Sequence, residues 1–206
     1  SGVRLHVRAG LGDGICRWPR GGCVHMSTPV EVEVEGEAIP IHPEPVAQDP
    51  FALRWVIPAG TLGCGIPVTI PEPLSALFDE RVLTTALVEE GAVWLWLNPT
   101  YSWAEVGVRV RSALEQALHD PDAWDVREAD DIVLLHVAAE VLAGSTGDVI
   151  RSHGGEAELT SVKDNVVAVY LSGACSSCPA IGFTLRHRIE SDIRRRHSAL
   201  KSVDSA

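Results

Sequence analysis

The residues with the clearest chemical potential are Cys175 and Cys178, in the run Leu171-Ser-Gly-Ala-Cys-Ser-Ser-Cys-Pro179. A two-residue spacer lets both sulfurs reach one small metal centre. Gly173 permits a tight turn after a strand, and Pro179 suits the first turn of a helix, where its missing N–H costs nothing. Unpaired backbone N–H groups at a helix start favour thiolate over thiol, so both sulfurs are set up as ligands or nucleophiles. Three readings compete. A buried structural pair fits poorly with a Ser-rich turn between Gly and Pro. A thiol–disulfide oxidoreductase dithiol shares the strand–CxxC–helix layout, although no βαβ pattern surrounds it. A zinc ion or an iron–sulfur cluster wants about four ligands. Residues 132–206 contain only these two cysteines, so a metal would need a second copy of the chain.

The elements that must hold the pair are legible around it. Asp131–Ala143 reads as an apolar helix interrupted by Gly144-Ser-Thr-Gly147, and Asp148–His153 adds a turn before Gly154-Gly155. His153 is expected to cap that helix end. Glu156–Val162 and Val166–Leu171 read as a hairpin turning at Lys163-Asp164-Asn165. Pro179 to Arg196 reads as a helix, with Ile181, Leu185, Ile189 and Ile193 on one stripe. Arg194, Arg195 and Arg196 suit the negative end of its dipole. Leu200–Val203 is at most a stub of a final strand.

Upstream, Ala52–Ile57 and Ala92–Leu97 read as strands and Leu74–Leu87 as a helix, while prolines break the segment 67–73. Ser102 with Glu105 forms a capping box opening a second helix to about Leu118. The acidic stretch 120–131 reads as a linker. Four prolines between Pro40 and Pro50 suggest an extended lead-in, and the alternation Val30–Glu35 could form an edge strand. Residues 1–25 hold four Arg and one Asp without periodicity, and are expected to be a leader or non-native segment. The boundaries expected are therefore 1–25, a lead-in over 26–50, a first domain over 51–119, the linker at 120–131, and a second domain over 132–206.

Bulk properties narrow the function. The 206 residues are 46% hydrophobic and 22% charged, a globular composition. A net charge of −11 makes a general nucleic-acid binder implausible. No apolar run is long enough to span a bilayer, and no secretory h-region is present. The five cysteines do not form a disulfide framework, so a cytoplasmic setting is expected. Cys64 reads as a plain thiol; Cys16 and Cys23 match no metal motif. No phosphate-binding loop or nucleophile–base arrangement is evident, so no enzyme is expected. Trp55, Trp94, Trp96 and Trp103 read as packing of the first domain, with any exposed member a candidate docking surface.

Residues 132–200 resemble the NifU C-terminal domain of the Nfu family through His153-Gly154-Gly155-Glu156-Ala-Glu-Leu159, the hairpin, the Cys175–Cys178 segment and Thr184-Leu185. Residues 51–119 resemble the Nfu N-terminal domain more loosely, through Leu53–Ile57, Pro73-Leu74, Leu77-Phe78, Val93–Leu97 and Trp103. The resemblance implies an α+β fold of two small domains, the second a helix–β-hairpin–helix (αββα) unit. It also implies an iron–sulfur scaffold or carrier in which two subunits each contribute Cys175 and Cys178. The implied cluster is [4Fe–4S], with [2Fe–2S] possible. The implied partners are a second copy when loaded, apo iron–sulfur proteins, and upstream assembly scaffolds. The interrupted helix before Gly154 and the early end at Ala206 depart from the family pattern.

Overall fold

The computed structural model describes residues 38–174 and 179–205, with side chains in the last helix from Arg186 onward. The segment 1–25, the Val30–Glu35 alternation, Cys16, Cys23, Cys175, Cys178, Ile181 and Leu185 lie outside the described residues and side chains. The expected α+β class is borne out. The described part belongs to one compact unit, with two hydrophobic cores that meet.

The first core is covered by a four-stranded antiparallel sheet. It consists of β1 (His42–Val46), β2 (Asp49–Val56), β4 (Leu83–Glu89) and β5 (Ala92–Leu97), in the order β1-β2-β5-β4. β1 corrects the expected lead-in: it pairs with β2 despite two prolines, Pro43 opposite Trp55 and Pro45 opposite Leu53. Their two-residue spacing gives both the same facing, and at an outer strand a missing N–H on the solvent side breaks no ladder bond.

The expected helix 74–87 is corrected too. Helix α1 is only Leu74–Asp79, and β4 follows. Arg81 takes a positive φ of 60°, which ends the helix. Glu90-Gly91 then closes a hairpin, with Glu89 paired to Ala92. Thr84, Thr85 and Val88 fit a pleated strand better than a helix. Helix α2 (Trp103–Leu118) packs Val110, Leu114 and Leu118 into the core. As expected, Glu105 braces its start, accepting from Ser102 N at 3.1 Å and Oγ at 2.8 Å.

The acidic stretch expected as a linker is folded. It contains a short 3₁₀ turn (Pro121–Ala123) and β6 (Asp125–Arg127), which pairs with β3 (Ile66–Thr69). Buried Trp124 donates to the Ala117 carbonyl at 2.9 Å. Asp120, Asp122, Asp125 and Glu128 are exposed, while Trp124 and Val126 pack inward.

The second core lies between helices and a three-stranded sheet. Helices α3 (Asp130–Ala143) and α4 (Ser145–Ser152) are bent by 46° at Gly144. A Cβ on Gly147 would lie 1.7 Å from the Leu142 carbonyl oxygen, so the glycine permits this sharp return. Strands β7 (Gly155–Lys163) and β8 (Val166–Gly173) form the expected hairpin. Its turn residues Asp164 and Asn165 both take positive φ, 53° and 64°. The Asp131 carboxylate holds this turn, accepting from Asp164 N at 3.0 Å and Asn165 N at 2.8 Å.

Helix α5 (Pro179–Arg194) follows. The final strand is fuller than the expected stub: β9 (Ser202–Ser205) runs parallel to β8, with Val203 buried. Val167, Val169 and Leu171 alternate inward from β8 to meet Val133, Val137, Ile189 and Ile193. α3 is apolar because it is a core helix, and no single helix among the described residues is long and apolar enough to cross a membrane.

Candidate functional site

Cys175 to Cys178 lie outside the described residues, but the structure fixes both ends of the segment that carries them. On the entry side, β8 ends at Gly173, paired with Gly155 at the start of β7. Gly154 and Gly173 take φ of 73° and 67°. Ala174 N donates to the Gly154 carbonyl at 3.0 Å, while Gly154 N donates to Arg151 O at 2.9 Å. A Cβ on Gly173 would come within 2.5 Å of the Gly154 oxygen. The glycines in the two motifs are therefore one device, letting the turn after α4 and the exit of β8 touch backbone to backbone. His153 is the cap residue of α4, as expected, and is exposed.

On the exit side, α5 begins at Pro179, one residue after Cys178, so the pair precedes the positive end of a 16-residue helix. The far end of α5 is held firmly. Buried Ile189 and Ile193 key into the second core. The three terminal arginines, expected simply to suit the helix dipole, each have a specific partner. Arg194 caps the carbonyls of Leu200 and Lys201 at 3.2 and 2.9 Å. Arg195 pairs with Asp192. Arg196 reaches across to Glu89 at 2.9 Å.

Glu89 was not singled out from the sequence. It is completely buried, and its carboxylate accepts from Arg54 Nε at 2.6 Å, Trp94 Nε1 at 2.8 Å and Arg196 Nη2 at 2.9 Å. Arg196 also lies over the Trp94 ring, 5.6 Å from its centroid. Burial works to lower the Arg54 pKa, but Glu89, helped by Glu44, overrides it and raises it. A buried carboxylate shared by two guanidiniums ties the end of α5 to the first sheet. Trp94 itself packs in the second core, which corrects its expected place in the first.

Cys64 is free and half-buried, as expected. Burial, with the charges of Glu90, Asp130 and Glu89, pushes its thiol up to about 11, so it is a poor ligand at neutral pH. Among the described residues, no three His, Cys, Asp or Glu side chains gather as a metal site.

Comparison with known proteins gives this layout a context. Residues 139–204 match the NifU-like domain family. They contain α4, the hairpin, α5 and most of β9, and they include both cysteines. The Fe/S biogenesis protein NfuA of Edwardsiella ictaluri is 29% identical over 157 residues, covering 72% of this chain and 78% of its own. The nitrogen fixation protein NifU of Anabaena sp. is 36% identical over 70 residues, 34% of this chain and 62% of its own. The mitochondrial NFU1 iron-sulfur cluster scaffold homolog of Drosophila ananassae is 26% identical over 154 residues, 71% of this chain and 53% of its own. Residues 139–204 are thus a NifU-like domain. The chain that carries it is similar over 72% of its length to proteins named Fe/S biogenesis protein NfuA.

Proposed function

We propose that this protein is an iron–sulfur cluster carrier whose cargo is held by Cys175 and Cys178 of two chains and delivered to apo-proteins. The observation that carries this reading is the CxxC pair within the NifU-like stretch, between a strand end clamped by glycine contacts and a helix start. Names of similar proteins, Fe/S biogenesis protein and iron-sulfur cluster scaffold homolog, support the cargo. Soft thiolate sulfur is the preferred ligand for such clusters.

Two thiolates per chain leave half the iron sites unfilled, so the loaded state is a homodimer around one [4Fe–4S] cluster. Delivery is ligand exchange: each bond from iron to a carrier cysteine breaks as an acceptor thiolate forms its own. The cluster keeps its electron count, and the carrier sulfur recovers a proton as it is released. This requires no general acid or base, which is why the chain is a carrier rather than an enzyme. A cluster bridging two chains leaves when the dimer opens, whereas a four-cysteine cage in one chain would retain it.

Anaerobic reconstitution with iron and sulfide tests the reading. A visible sulfide-to-iron chromophore is expected, lost in Cys175→Ala or Cys178→Ala, and transferable to an apo-ferredoxin. Zinc bound without sulfide would point to a structural dimer. Reduction of insulin by the metal-free dithiol, with no chromophore formed, would point to an oxidoreductase.

A further inference from the structure

A cleft of about 160 Å³ lies where the β1–β2 turn and β5 meet α3. Its wall is aromatic. Trp94 and Trp96 are stacked with centroids 5.8 Å apart and planes at 18°, and His136 of α3 tilts over Trp96 at 5.2 Å. Trp94 is buried, but Trp96 and His136 are half-exposed.

Two carboxylates flank this wall, each held by neutral donors. Asp49 accepts from Trp96 Nε1 and from Phe51 N, both at 3.0 Å. Both oxygens of Glu140 accept from Ala47 N at 3.1 Å. Neither carboxylate has an ion pair with a cation among the described residues, unlike Glu89, Glu44 and Glu80. Burial, opposed by Asp49, lowers the His136 pKa and so disfavours a positive charge on its ring.

We propose that this cleft docks an arginine side chain presented by a partner protein. A planar guanidinium can stack on an indole face while directing N–H groups to both carboxylates, which a compact, strongly hydrated ammonium does less well. The cleft is smaller than the roughly 300–1,000 Å³ of small-molecule sites, and suits the tip of one side chain. The chain's net charge of −11 attracts a basic partner surface. Aromatic–arginine anchors of this kind commonly dominate protein interfaces. Binding here needs no cluster, so it stands or falls apart from the proposed cargo.

The test is a titration of the full chain, ¹⁵N-labelled, with acetyl-Gly-Arg-Gly-amide. The indole N–H signals of Trp94 and Trp96 provide the readout. A saturable shift with Kd of about 1–10 mM is expected for one side chain. The neutral citrulline peptide should bind at least about fivefold more weakly, and the lysine peptide should fall between. The charge-neutralising, shape-preserving double variant Asp49→Asn/Glu140→Gln should lose about fivefold for the arginine peptide. Equal binding of the citrulline peptide would overturn the proposal, as would equal binding of the lysine peptide. So would undiminished arginine binding by a folded double variant, or no saturable shift to about 50 mM.

Discussion

The half of the chain before Glu128 holds the first sheet's tryptophans and a completely buried carboxylate; the half after it holds an aliphatic core and the cysteine pair. The second half is positioned by shape: Val167, Val169, Ile189 and Ile193 interdigitate, and glycines let backbones touch. The contact between halves adds charge to packing: Leu87 and Trp94 join the second core, while Glu89, paired with Arg54 in its own half, reaches Arg196 in the other. A packed aliphatic core resists deformation, whereas a buried ion cluster holds only when every partner is present. The helix following the cysteines is therefore braced by a side chain from the half without them.

The largest effect is expected at that brace. Glu89→Ala leaves two guanidiniums without their buried partner, and should cost about 3–5 kcal/mol in urea unfolding. Arg196→Ala should cost less, because Arg54 still pairs with Glu89. If Glu89→Ala lowered only the unfolding of the first half, with the NifU-like half unaffected, the coupling of the two would be broken.

Gly173→Ala comes next. The positive φ and the 2.5 Å approach to the Gly154 oxygen predict a loss of about 1–3 kcal/mol, measurable by thermal unfolding. A cost of that size confined to the second half would sharpen the contrast, since steric fit, not charge, sets it there.

The smallest effect concerns Cys64. Its alkylation by iodoacetamide should rise with a midpoint near pH 11 in the folded protein, against about 9 when unfolded. Between those values the folded state binds the proton more tightly, so this residue's contribution to stability falls as pH rises through that window. A midpoint near 9 in the folded chain would remove burial beside the carboxylates as its cause.

The sequence exposed most of the second half, because there local signals agree with tertiary packing. Alternation in Val166–Leu171, the Asp164-Asn165 turn and the Ile189/Ile193 stripe each have one structural solution. In the first half, local and long-range preferences diverge. Leu83–Glu89 carries apolar spacing compatible with a helix, and only pairing with β5 makes it a strand. The Glu90-Gly91 turn before Ala92–Leu97 was the available signal. Pro43 and Pro45 obscured β1, whose position at a sheet edge is a tertiary fact. Trp124 amid carboxylates marked a folded segment rather than a linker. The cysteine pair was legible because its chemistry lies in residue type and spacing. The Glu89–Arg196 pair was not, since 107 residues separate its members and neither has a motif.

Whether two cysteines per chain hold half a cluster is read most directly from iron, sulfide and molecular mass on one anaerobically reconstituted sample. A dimer with about two iron and two sulfide per chain is expected, returning to lower mass when the cluster is removed by chelation. A cluster held by a monomer, or one retained by the Cys175→Ala/Cys178→Ala double variant, would contradict it.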